Sequence, residues 1–134
     1  MTVELWTLVT MGLLQLGLVT IHGTYISLAL GLRWGMGRRD QSREVSDLGR
    51  RIERSIINTM EGIAVFVPII LVIQLSGLSD NITQIASQTY VTARIVYAFI
   101  YIGNIFQIRT LVWLIGQACL FVMGFALVGK ALAL

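Results

Sequence analysis

The 134-residue chain is 56% hydrophobic and only 13% charged, with a mean hydropathy of +0.80; a water-soluble domain carries about 25% charged residues. These values exclude a soluble fold and define an integral membrane protein. The net charge is +3, and seven of the ten basic residues (Arg33, Arg38, Arg39, Arg43, Arg50, Arg51, Arg54) lie in or beside one segment. That cluster is interleaved with Asp40, Glu44 and Asp47, which argues against nucleic acid as a partner and for membrane orientation, because basic residues concentrate in short cytoplasmic loops.

No formal charge occurs between Glu4 and Arg33. This predicts a first membrane helix over about residues 5–32, with Trp6 near its outer end. The stretch lacks a basic leader and is too long for a signal peptide, so the span is expected to be retained. Residues 33–50 form the one strongly hydrophilic connection. A second helix is predicted over about residues 50–75, starting near Ser46–Arg50, and a turn over 76–81 offers Asp80 or Asn81 as an N-cap. The third helix is expected over about residues 82–105 and the fourth over about 110–133, with Lys130 in its last turn. Four spans of about 20 residues use up the length. The expected fold is all-α, a single-domain up-and-down four-helix membrane bundle. Connections 1–2 and 3–4 should be cytoplasmic, with both termini on the other side.

Within the second helix, Arg51, Arg54, Asn58 and Glu61 are spaced three, four and three residues apart. At about 100° per residue they share one helix face of about 80°. Glu61 is followed by an almost wholly apolar run up to Asp80, so the four sit at the mouth of a span. Charges placed there face protein or a water-filled cavity and not lipid. In the third helix Tyr90, Arg94, Tyr97 and Tyr101 form a second stripe with spacings of four, three and four. Glu61 lies about 15 Å along its helix from Arg51, and Arg94 about 16 Å from the opposite end of its own. This matched depth predicts a Glu61–Arg94 pair. The two stripes can line one pocket opening toward the cytoplasmic side, and the plainer alternative is an ion-pair network that only ties helices together.

Other residues carry less chemistry. Cys119 reads as a small core residue, since a lone cysteine supports neither a disulfide framework nor a multi-cysteine metal site. His22 reads as hydrogen-bonded packing. Gln15 and Gln74 suit interhelical hydrogen bonds, and Trp6, Trp34 and Trp113 suit interface anchors.

The second-helix run Arg51-x-x-Arg54-x-x-x-Asn58-x-x-Glu61 matches the signature of the MAPEG family, the membrane-associated proteins of eicosanoid and glutathione metabolism. Ala93-Arg94-x-x-Tyr97-x-x-x-Tyr101, followed by Arg109, resembles the family's third-helix motif and the arginine beside its fourth helix. The resemblance covers nearly the whole chain. It implies a homotrimer in a membrane such as the bacterial cytoplasmic membrane, with glutathione as co-substrate held between neighbouring subunits. It implies glutathione-binding roles for Arg51, Arg54, Asn58, Glu61, Arg94, Tyr97 and Tyr101, a thiolate-holding role for Arg109, and a second catalytic arginine at Arg33; no metal is implied.

One departure stands out: Gly62 occupies a position where catalytic members often carry an aromatic or bulky residue. Three functions follow for comparison. The first is a glutathione transferase or peroxidase acting on lipophilic electrophiles. The second is a non-catalytic accessory or scaffold subunit of a larger membrane complex, which Gly62 would fit. The third is a small four-helix transporter, opposed by the lack of an acid in the first span after Glu4.

Overall fold

The computed structural model describes residues 1–38 and 44–133; Arg39, Asp40 and Arg43 of the first connection lie outside the described residues. All regular structure among the described residues is helical: α1 (Val3–Leu30), α2 (Leu32–Gly35), α3 (Asp47–Leu75), α4 (Asn81–Ile102) and α5 (Arg109–Ala131). α2 is a single turn, and the other four are long.

The ends of the helices follow local chemistry. Ser46 caps α3 by accepting from the Gly49 N–H at 3.2 Å. Asp80 caps α4 in a reciprocal arrangement: its carboxylate accepts from Thr83 N–H at 2.9 Å, while the Thr83 hydroxyl accepts from Asp80 N–H at 3.0 Å. Two ends fall short of expectation. α1 stops at Leu30 and not at residue 32, because Gly31 adopts φ +96°, a conformation open to glycine and costly for other residues. α4 stops at Ile102 and not at 105. There Asn104 turns left-handed at φ 60°, and the Ile105 N–H returns to the Ile100 carbonyl at 3.0 Å.

Contacts between helix ends establish an up-and-down path. The start of α1 meets the end of α3 through Thr2 and Gln74 at 2.7 Å. The start of α3 meets the end of α4, where Arg51 Nε donates to the Ile102 carbonyl at 3.1 Å. The end of α5 meets the start of α4, where Lys130 pairs with Asp80 at 2.7 Å. The core joins Met11, Phe66, Ile70, Ile73, Tyr90, Val91, Leu120 and Met123 from all four long helices, while large apolar side chains such as Leu13, Leu16, Phe99, Phe121 and Phe125 face outward. The protein is therefore a helical membrane bundle.

α1, α3 and α5 are long and apolar enough to cross a membrane; α4 is not, although four spans were expected. The reason lies in its composition and place. α4 carries Thr83, Gln84, Ser87, Gln88, Thr89, Thr92 and Arg94, and it has more buried residues than any other helix. Thr83, Ser87 and Arg94 are buried in the bundle, and the Thr89 and Thr92 hydroxyls donate to the helix's own backbone carbonyls at 2.8 and 2.9 Å.

Candidate functional site

α3 divides into an inner strip and an outer polar edge. Ile52, Ser55, Thr59, Gly62, Phe66, Ile70 and Ile73 recur at three- and four-residue intervals and are buried, the pattern of a core-facing stripe. Arg54 and Glu61 fall outside that strip and are exposed, and Arg51 and Asn58 lie on the border, half-buried. The polar signature thus runs along the edge where α3 meets α4.

From α4, Arg94 enters this edge from behind. It is 3% exposed, and its Nη1 donates to Asn58 Oδ1 at 2.6 Å. Its guanidinium carbon stands 5.1 Å from the centroid of the Tyr90 ring. Gly62 and Gly116 leave the room it occupies: a Cβ on Gly62 would come within 3.1 Å of the guanidinium and closer still to the Tyr90 hydroxyl, and one on Gly116 would come 3.7 Å from Arg94 Nε. The matched depth of Glu61 and Arg94 therefore does not produce the expected pair. Arg94 faces inward and takes Asn58, whereas Glu61 faces outward and makes no ion pair among the described residues. Helix rise compares depth only, and the two side chains differ in direction around their helices.

In front of Arg94 lies a cavity of about 490 Å³ lined by Glu53, Arg54, Ile57, Asn58, Glu61, Tyr97 and Tyr101. The two tyrosine rings stand 5.6 Å apart. Five of the residues expected for the site are brought together here, and Glu53 and Ile57 were missed. Their signal was present, since residues 53, 57 and 61 are each four apart and share a face. Arg94 does not line the cavity. Arg51 lies at its mouth in an adjoining hollow with Arg50, Arg54, Tyr101 and Asn104. Arg109 sits with its guanidinium carbon 5.1 Å from the Tyr101 ring centroid, in small hollows it shares with Arg51 and Tyr101 on one side and with Tyr97, Thr110 and Trp113 on the other. Within one chain it stands beside the tyrosine pair and outside the main cavity. Arg33 is exposed on α2 and lines none of these spaces.

A larger cleft of about 580 Å³ lies between α3 and α5, walled by Val65, Ile69, Leu120, Phe121, Phe125 and Val128, with Gln117 as its polar member. Nothing in it can hold or transfer a proton. Cys119 packs against the core, and His22 is half-buried without the expected hydrogen bond among the described residues.

At the other end of the bundle most polar groups find partners within the fold, although Glu4 Oε2 and Gln74 Nε2 are buried without one among the described residues. Glu4 is fully buried, and its Oε1 accepts from Ser79 Oγ at 2.5 Å and Thr83 Oγ1 at 3.0 Å. Lys130 joins Asp80 and the Leu78 carbonyl, each at 2.7 Å.

The MAPEG family model matches residues 5–129 of the chain. This protein belongs to the MAPEG family. No curated protein and no solved structure matches the chain. Membership agrees with the helical membrane bundle, in a family that includes glutathione-related transferases and peroxidases. The cavity between α3 and α4 thus lies on the residues that carry the MAPEG resemblance.

Proposed function

We propose that this MAPEG protein is a membrane-embedded glutathione transferase or peroxidase acting on lipophilic electrophiles, assembled as a homotrimer. The observation that carries the reading is the cavity in which Arg54 and Glu61, exposed and without an ion pair among the described residues, flank Asn58, Tyr97 and Tyr101. A charge on the lipid-facing surface of a span is costly, so this edge needs a polar cover. A neighbouring copy and a charged ligand supply one together. Glutathione fits the donor set: Arg51 and Arg54 suit its carboxylates, Glu61 its ammonium, and Asn58 and the tyrosines its peptide groups. The cavity volume falls in the range of small-molecule sites, about 300–1,000 Å³.

Arg109 is the residue for the sulfur. A free thiol titrates near 8.5, and a nearby guanidinium favours the nucleophilic thiolate. Because Arg109 stands outside the cavity of its own chain, the reading places the ligand between subunits, where Arg109 of one copy reaches a cavity bordered by another. The electrophile would arrive through the bilayer along apolar surface such as the α3–α5 cleft. Gly62 does not weaken the enzymatic reading, since its α-carbon faces buried Tyr90 and Arg94 and not the cavity. Connections 1–2 and 3–4 are assigned to the cytoplasmic side, and the site opens there.

The test is glutathione titration of the detergent-purified protein, followed by ultraviolet thiolate absorbance and turnover with a chromogenic electrophile. Arg109→Ala should lower turnover about 100-fold and weaken the thiolate signal while changing affinity little, because binding is spread over other residues. An unchanged thiolate signal removes Arg109 from the chemistry. Binding without turnover in the wild type favours an accessory role, and no binding removes the glutathione reading.

A further inference from the structure

We infer that Arg94 is a positioning residue, held between Gly62 and Gly116, that fixes the Asn58 amide so that its amino group faces the cavity as a donor to a peptide carbonyl of the ligand. The inference rests on the glutathione reading of that cavity and adds to it the group recognised at its centre.

A guanidinium only donates hydrogen bonds, so the Asn58 atom 2.6 Å from Arg94 Nη1 is the amide oxygen. Asn58 lines the cavity, and its Nδ2 is not among the buried polar atoms lacking a partner. With Oδ1 engaged behind, the amino group is what Asn58 offers in front. Its neighbours along the edge define what it meets. Arg54 lies four residues before it and Glu61 three after, about 6 Å and 4.5 Å along the axis. A ligand whose carboxylate meets Arg54 and whose ammonium meets Glu61 brings its middle to Asn58. In glutathione that middle holds peptide carbonyls.

Arg94 is confined by packing, with Nη1 bonded to Asn58 and its buried Nε without a hydrogen-bond partner among the described residues. It is buried on α4, its guanidinium lies against the Tyr90 ring, and side chains are missing on both flanks at Gly62 and Gly116. Its contact with the ligand is therefore indirect.

A double-mutant cycle on the full-length protein in detergent tests this, with glutathione as the titrant and thermal midpoints of the ligand-free protein measured alongside. Arg94→Met should raise the Kd about 10-fold in the wild-type background and less than about twofold in an Asn58→Ala background, since a residue acting through Asn58 has nothing to act on once Asn58 is gone. Arg94→Lys, which keeps a cationic donor for Oδ1, should recover most of the affinity. Should Arg94→Met not fold, Arg94→Gln takes its place in the cycle. Additive effects on Kd, or coupling confined to the thermal midpoints, would reduce Arg94 to a structural strut and overturn the proposal. A wild type that binds no glutathione overturns the ligand assignment together with the reading beneath it, a result distinct from additive binding.

Discussion

The two ends of this bundle use the same side chains to opposite effect. At the Glu4 end an acid is fully buried, accepts two hydroxyl donors from across the fold, and has beside it a closed Asp80–Lys130 pair. At the Glu61 end an acid and an arginine are exposed, make no ion pair among the described residues, and are set around a cavity. The position of charge in a membrane helix does not distinguish structure from binding. What distinguishes them is whether the fold itself supplies partners. Glu4 Oε1 has two hydroxyl donors, though Oε2 has none among the described residues, whereas Glu61 and Arg54 have no ion-pair partner among the described residues. Removing one member of a closed set leaves its partner uncompensated, whereas a member of an open set can be replaced at little structural cost.

The largest effect expected from this contrast is an exchange of roles between the two acids. Glu4→Ala should lower stability by about 1–3 kcal/mol, because Ser79 and Thr83 lose the acceptor that ties them to α1, leaving the Thr83 hydroxyl only the Asp80 carbonyl at 2.9 Å. Glu61→Gln should stay within about 0.5 kcal/mol of wild type in stability and yet weaken glutathione binding. Thermal unfolding in detergent and ligand titration on both variants decide it. Loss of stability at Glu61 with none at Glu4 would break the comparison.

The two ends also differ in how much of them could be read from sequence. The open end was legible because its acid, amide and two arginines follow one another at helical intervals on α3, so local geometry was sufficient. Local sequence likewise placed the start of α3 near Ser46–Arg50 and narrowed the α4 cap to Asp80 or Asn81, of which the fold uses Asp80. The closed end was not: Glu4 finds its partners 75 and 79 residues away, and no interval within a helix encodes that. Arg94 fell between these cases. Its depth was correct, but Asn58 lies on the inner border of the α3 edge and Glu61 on the outer, and only the packed bundle shows which one an inward-facing guanidinium meets. The early ends of α1 and α4 depend on the left-handed turns at Gly31 and Asn104, which composition alone marks weakly.

Two glycines behind the cavity sharpen the picture of the open end, whose back is formed by Tyr90 and Arg94. A Cβ at Gly62 would intrude on the Tyr90 hydroxyl and the Arg94 guanidinium, whereas at Gly116 it would make ordinary contacts of 3.7–3.9 Å. Gly62→Ala should therefore cost about 1–2 kcal/mol through overpacking. Gly116→Ala should be neutral or slightly stabilising, since alanine favours helix over glycine by up to about 1 kcal/mol. Equal thermal midpoints for the two variants would show that the back wall yields, and would remove the rigid support assigned to Arg94.

The smallest effect belongs to the rim of the closed end and depends on pH. The Lys130 ammonium hydrogen-bonded to Asp80 holds that carboxyl below its ordinary value of 3.8, with help from the Thr83 N–H and against a smaller opposing effect of burial. A carboxyl lowered in the folded state binds fewer protons there than in the unfolded chain. Its contribution is therefore fully present above the ordinary value and is lost as pH falls through the folded one. Acid should lower the thermal midpoint across that window, and Asp80→Asn should flatten the slope there while keeping a side-chain oxygen for the α4 cap. The pair is partly exposed, so added salt should shrink the difference between wild type and variant. A slope untouched by Asp80→Asn would show that the acid sensitivity of the closed end arises outside the Asp80–Lys130 pair.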